Sequence, residues 1–166
     1  MAKTYSAIAT TTVDSGGAAN IEFVSIPQTY TDLAILLSGR GTGNGDNRVV
    51  YIYPNGSSSS MTSRDLFADG SGVGSGSFSE VYINGALSTA NTFGNAFIYI
   101  PNYTSSNNKS ISADVVIENN TTVSYLFLSA FLWSNTSPIT SLTLEVAGAD
   151  TFVQHSTATL YGIKKP

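Results

Sequence analysis

His155 is the single histidine of the chain, so it is the one side chain able to serve as a general base near neutral pH for a serine nucleophile. Serine is abundant, but no Gly-x-Ser-x-Gly elbow joins a strand to a helix, and Gly74-Ser75-Gly76-Ser77 has no helical pattern after it. His155, between Gln154 and Ser156, therefore reads as a loop residue ahead of the last strand. Paired carboxylates would suit glycosidic acid and base work. The 11 acidic residues are scattered singly, and Glu22, Glu80, Asp114, Glu118 and Glu145 fall in strand-like segments as outward, solvated positions. Asp65 with Asp69-Gly70, or Asp46 with Asn44 and Asn47, offers hard oxygen ligands without the spacing of a calcium loop. The glycine-rich runs 39–45 and 70–76 lack Gly-Lys-Ser/Thr and open no helix that could hold a phosphate, so both read as flexible loops. No catalytic, cofactor-binding or metal-binding residue is assigned, and the chain is not expected to be an enzyme.

Composition points the same way. Only 11% of the residues are charged, against about 25% in an average soluble domain, and Ser, Thr, Asn and Gly take their place. A polar, uncharged surface projects little long-range field; it suits contact with a fixed protein neighbour or a neutral sugar. The net charge of −4 and the lack of any Lys/Arg cluster beyond Lys164-Lys165 argue against nucleic acid. Without cysteine there is neither a disulfide framework nor a thiolate metal site, and stability must come from packing. The start, Met1-Ala2-Lys3-Thr4-Tyr5, is expected not to be a secretory leader, because no apolar run follows it, and no segment is expected to cross a membrane.

The elements that must position these residues read as strands throughout. Ten segments alternate β-branched or apolar residues with Ser, Thr, Asn and Glu: 4–9, 20–25, 33–39, 48–53, 77–84, 96–100, 110–118, 123–133, 139–147 and 156–163. Gly16-Gly17, Pro54-Asn55-Gly56, Asn84-Gly85, Pro101-Asn102 and Gly148 supply the positive or fixed φ that reversals need. Helical periodicity is confined to a short turn at 28–32 and a weaker candidate at 61–67. Neither is long enough to join parallel strands, so pairing must be antiparallel. The expected fold is all-β, an antiparallel jelly-roll-like β-sandwich of about ten strands in a single domain, 1–166. The polar stretch 55–76 is expected to be the long connection that crosses between sheets, and to be mobile or ordered against a partner. Tyr125-Leu126-Phe127-Leu128-Ser129-Ala130-Phe131-Leu132-Trp133 shows no alternation and is expected to be covered on both faces, at the centre of a sheet or against a subunit neighbour. Val49-Val50-Tyr51-Ile52-Tyr53 and Phe97-Ile98-Tyr99-Ile100 alternate aliphatic with aromatic residues, the pattern of a sheet face that is either merely exposed or an interface.

The opening Ile8-Ala9-Thr10-Thr11-Thr12, then Ile26-Pro27-Gln28-Thr29-Tyr30-Thr31-Asp32-Leu33, and the close Ser156-Thr157-Ala158-Thr159-Leu160-Tyr161-Gly162-Ile163-Lys164 resemble a recurrent family of small virion structural proteins of tailed bacteriophages. The likeness covers both ends and leaves the middle out, and its motifs are strand and turn signatures that carry over no active residue. It implies a capsid decoration or cement protein that binds and stabilises the major capsid protein shell. It further implies synthesis in the bacterial cytoplasm, location in the virion and assembly as a homotrimer. The alternative it leaves open is a tail fibre or adhesin module that binds host-surface glycan, with Tyr99, Asn102 and Tyr103 offering rings and an amide for stacking and hydrogen bonding.

Overall fold

The structure, a computed structural model, describes residues 4–120 and 124–164. Among the described residues there are twelve strands and no helix: β1 Tyr5–Thr12, β2 Asn20–Phe23, β3 Asp32–Gly39, β4 Asn47–Pro54, β5 Met61–Ala68, β6 Val73–Gly76, β7 Val81–Asn84, β8 Gly94–Ile100, β9 Lys109–Ile117, β10 Tyr125–Trp133, β11 Leu142–Val146 and β12 Thr157–Ile163. Every strand pairing is antiparallel. The large sheet has eight strands in the order β1-β12-β3-β8-β9-β10-β5-β6, and the small sheet has four, β2-β11-β4-β7. The sandwich read from the sequence is therefore present, with unequal layers.

One continuous core lies between the sheets, because both contribute their inward residues to it. Ile21, Phe23, Val50, Ile52, Val81, Ile83, Leu142 and Leu144 from the small sheet meet Leu33, Ile35, Ile98, Ile100, Ile111, Val115, Phe131, Trp133 and Leu160 from the large one. Alternation sets this up: β9 reads buried-exposed without a break over nine residues, and β8, β11 and β12 keep the same period.

Four expectations are corrected. The stretch 55–76 is not one long connection. Residues 55–60 cross from β4 in the small sheet to β5 in the large one, and β5 and β6 then form a hairpin that adds two strands to the large sheet's edge. The period of two was disguised there because β5 turns Ser63 and Asp65 inward, where a core strand would carry aliphatic residues. Each finds a partner there, Asp65 through one oxygen: Phe78 N–H donates to Asp65 Oδ2 at 2.8 Å, Ser79 N–H to Ser63 Oγ at 2.6 Å, and Ser63 Oγ itself to Asp65 Oδ2 at 2.9 Å, while Asp65 Oδ1 is buried without a donor among the described residues. The same contacts remove the weak helix candidate at 61–67.

The glycine run 39–45 is not a loose loop either. Gly41 N–H donates to Asn84 O at 2.8 Å and Thr42 N–H to Thr151 O at 3.0 Å, and a Cβ on Gly43 would strike the ion-paired side chains of Arg48 and Asp150. Glycine is needed at 43 so that the chain can pass over that pair. The strand expected over 139–147 begins only at Leu142. Asn55 reaches across to hold 138–141, donating to Pro138 O and accepting from Thr140 N–H at 2.8 Å. The expected strand start at Val123 lies outside the described residues.

Candidate functional site

The outward face of the large sheet is the feature that needs an explanation. β10 sends Phe127, Ser129, Phe131 and Trp133 into the core and Leu126, Leu128, Ala130 and Leu132 outward. The strand lies inside its sheet, between β9 and β5, but the chain itself covers only the inward face, and Leu126 and Leu128 remain 57% and 55% exposed. Register extends the row to both sides. Leu126 lies between Ala68 on β5 and Val116 on β9, Leu128 between Leu66 and Asp114, and Ala130 between Arg64 and Ser112. Beyond β5, Val73 pairs with Ala68 and is 86% exposed; beyond β9, Asp114 pairs with Phe97 and Phe97 with Leu36. Leu66, Ala68, Val73, Leu126 and Leu128 form the walls of a shallow groove of about 380 Å³ with almost no polar lining.

Among the described residues eleven large apolar side chains are exposed, and eight of them, Tyr5, Leu36, Leu66, Val73, Val116, Leu126, Leu128 and Leu132, stand on strands of this one sheet at outward positions. A contiguous apolar patch of this kind marks a contact surface, because water exclusion is the one gain such a face can make. Arg64 and Asp114 are the charges set into its central strands. Leu66 and Val73 were missed in the sequence because they sit in a run of Ser, Gly and Asp; the available signal was the outward row Thr62, Arg64, Leu66.

Residues with catalytic potential are not brought together. His155 sits exposed in the turn before β12 with φ 73°, and its N–H donates to Val13 O at 3.0 Å. Glu22, Asp114 and Glu118 are exposed, Glu145 is half-buried, and Glu80 accepts from Tyr82 Oη at 2.6 Å. Asp69 turns back on its own loop, accepting from Ser71 and Gly72, and those hydrogen bonds hold its carboxyl below the usual range. Among the described residues no three His, Cys, Asp or Glu side chains converge as a metal site would require. The trio offered for sugar is also split: Tyr103 is fully buried with its hydroxyl donating to Pro27 O, while Tyr99 is half-buried and Asn102 exposed. No helix of the described residues is long and apolar enough to cross a membrane.

Aromatic rings gather in two groups. Tyr51 and Tyr53 stack at 5.8 Å on the small sheet, Tyr82 stacks on Phe127 at 4.3 Å, and Phe127 also meets Phe67 at 5.7 Å and Tyr125 at 5.8 Å. Burial, more than any charge, raises the phenols of Tyr53, Tyr82, Tyr99, Tyr103 and Tyr125. Glu145 adds to the rise at Tyr53, Glu80 at Tyr82 and Asp32 at Tyr99. A raised phenol binds its proton in the fold after the unfolded chain has released it. That contribution to stability is complete below pH about 10 and is lost as pH rises through the folded values. Burial lowers Lys109, whose effect has the opposite sign and is outnumbered. In a spectrophotometric titration these five tyrosines are expected to ionise late, together with loss of β-sheet circular dichroism. Smooth ionisation of all 9 tyrosines near pH 10 with the fold intact would contradict the burial described here.

Comparison with protein-family models, with curated proteins and with solved structures matches none of them. The function must therefore be argued from the surface itself: a sheet with an uncovered apolar face in which Arg64 and Asp114 are set and, among the described residues, no cluster of three His, Cys, Asp or Glu side chains.

Proposed function

We propose that the protein is a structural component of a phage virion, a decoration or cement protein that binds the major capsid protein shell and stabilises it. The observation that carries this reading is the open apolar face of the large sheet, a surface suited to permanent association within an assembly of identical or different subunits. The resemblance of both chain ends to tailed-phage virion proteins points to the particle. Low charge and many hydroxyl and amide groups suit a wet polar rim around such a patch. Particles lacking the protein are expected to lose resistance to heat or chelator while still adsorbing to cells, and quantitative mass spectrometry of intact particles is expected to find hundreds of copies. Normal particle stability with lost adsorption, or a handful of copies, would reject this reading.

The adhesin alternative has one observation in its favour, and it is not the trio offered by the sequence. Tyr51 and Tyr53, half-buried and stacked with 20° between their planes, present a ring surface beside a small pocket bordered by Ser58 and Ser79. Loss of adsorption on Tyr51→Ala, with particle stability unchanged, would select that reading.

A further inference from the structure

Taking the structural-protein reading as its basis, we infer that the open face of the large sheet is covered by a second copy of this chain, packed face to face about a two-fold axis that runs along β10. The first argument is the number of patches. A two-fold contact uses the same surface on both copies, whereas a three-fold contact needs two different, complementary surfaces on each copy. The apolar side chains exposed elsewhere, Val24, Phe78 and Leu87, stand singly on separate loops. One self-complementary patch is what a two-fold contact requires.

The second argument is charge. Leu128 has Leu66 on one side and Asp114 on the other; Ala130 has Arg64 on one side and Ser112 on the other. Arg64 and Asp114 therefore flank β10 on opposite sides, one outward row apart. Two families of two-fold axis lay this face on itself. An axis across the strands stacks β9 on β9, bringing the two Asp114 carboxylates toward one another or leaving each two strands away from the other copy's arginine. An axis along β10 stacks β5 of each copy on β9 of the other, so that each Arg64 is within a side chain's reach of the opposite Asp114, twice over. Only the second arrangement pairs the charges, and it also places Leu126, Leu128 and Leu132 on the axis, where each meets its own counterpart. Opposite charges set this way fix the register of an otherwise greasy surface.

The third argument is area. Five strands, β6, β5, β10, β9 and β8, at about 4.8 Å spacing and about seven residues at about 3.3 Å rise, cover a projected area of roughly 550 Å². The corrugated surface exceeds its projection, which brings the contact close to the roughly 800 Å² per partner of a standard stable interface. Sheets stacked in this way pack about 10 Å apart with their strands nearly aligned.

The absence of native cysteine makes the test direct. In the full chain, Leu128→Cys, on the axis, is expected to be joined to its own counterpart in high yield by a short bis-maleimide. Leu36→Cys is expected to stay uncoupled, because it lies on β3, three strands from β10, and the two copies of it are about 29 Å apart. By sedimentation equilibrium the unmodified protein is expected to be a dimer. Arg64→Glu and Asp114→Arg are each expected to weaken it at least tenfold and their combination to restore it, while Leu128→Lys is expected to weaken it about a hundredfold with the melting of the monomer unchanged. A monomer, a trimer indifferent to Leu128→Lys, coupling at position 36 but not 128, or a double charge variant as weak as the singles would overturn the inference. A monomer or trimer that still decorates and stabilises particles would leave the virion reading standing; a dimer with this chemistry that never appears on particles would do the reverse.

Discussion

Replacing Lys109 by methionine is expected to destabilise the fold by about 3–5 kcal/mol, since it leaves several buried carbonyls without their donor at about 1–3 kcal/mol each, and to lower the melting temperature by roughly 10 °C. Lys109 opens β9 on the inward side and is only 1% exposed, yet among the described residues no carboxylate pairs with it. Its ammonium is held by backbone. Nζ donates to Ser105 O at 2.7 Å, Asn107 O at 2.8 Å, Ser137 O at 2.7 Å and Asn135 O at 3.4 Å, and it lies 5.7 Å from the centroid of the fully buried Trp133 ring. Two loops at one end of the sandwich, the one before β9 and the one after β10, are thus tied through a single cation. Burial pulls the ammonium below its ordinary value, and the carbonyls together with the indole face oppose that pull. Methionine keeps the stem and leaves those carbonyls without their donor, so the loss is electrostatic and not a matter of volume. Arginine would keep the charge, but its planar fork does not fit a cage built around a compact ammonium, so Lys109→Arg is expected to recover only part of the loss. Thermal melting of the two variants checks both statements. Equal stability of Lys109→Met and the parent would show that the cage contributes nothing net.

The limits of the sequence reading can be stated for two strands. In β9, inward Ile111, Ala113, Val115 and Ile117 alternate with outward Ser110, Ser112 and Asp114, so the period of two is open to inspection. In β10 both faces are apolar between its aromatic ends, and its lone aliphatic hydroxyl, Ser129, points inward where it is 2% exposed. The alternation is complete in space and invisible in composition. What the sequence did carry was the need for cover on a second face, and the structure adds that this chain does not supply it. The β5–β6 hairpin was hidden for the opposite reason: its inward Ser63 and Asp65 take their partners from the backbone of 78–79, contacts that exist only after folding. Lys109 escaped notice likewise, because an isolated lysine at a strand end reads as a solvated residue until the carbonyls that surround it are known. Polar residues that serve the core through backbone groups leave no periodic trace.

Asp32 is the other buried charge on which much is expected to depend, and Asp32→Ala should cost about 3–4 kcal/mol, from the loss of two hydrogen bonds to a charged acceptor. The carboxylate, 2% exposed at the start of β3, accepts from Tyr99 Oη at 2.9 Å and from Asn102 N–H at 2.9 Å. It thereby holds both the end of β8 and the turn that follows, where Asn102 has φ 49°. Tyr99 in turn flanks Ala34, which is fully buried between it and Tyr161 on the outward side of the large sheet. The polar contact thus fixes an aromatic wall at the margin of the open face. Asp32→Asn keeps one acceptor for the Asn102 amide and is expected to cost about half as much. In a double-mutant cycle, Asp32→Ala and Tyr99→Phe are expected to couple by about 1 kcal/mol or more, since they share one hydrogen bond. Additive losses would place the cost of Asp32→Ala in the turn alone. Because Tyr99 lies on β8 in the row of Ser112, beyond the end of β6 that β8 would face, and Tyr99→Phe keeps the ring, the change should soften the monomer without altering its dissociation constant, which separates the stiffness of this margin from the grip of the face itself.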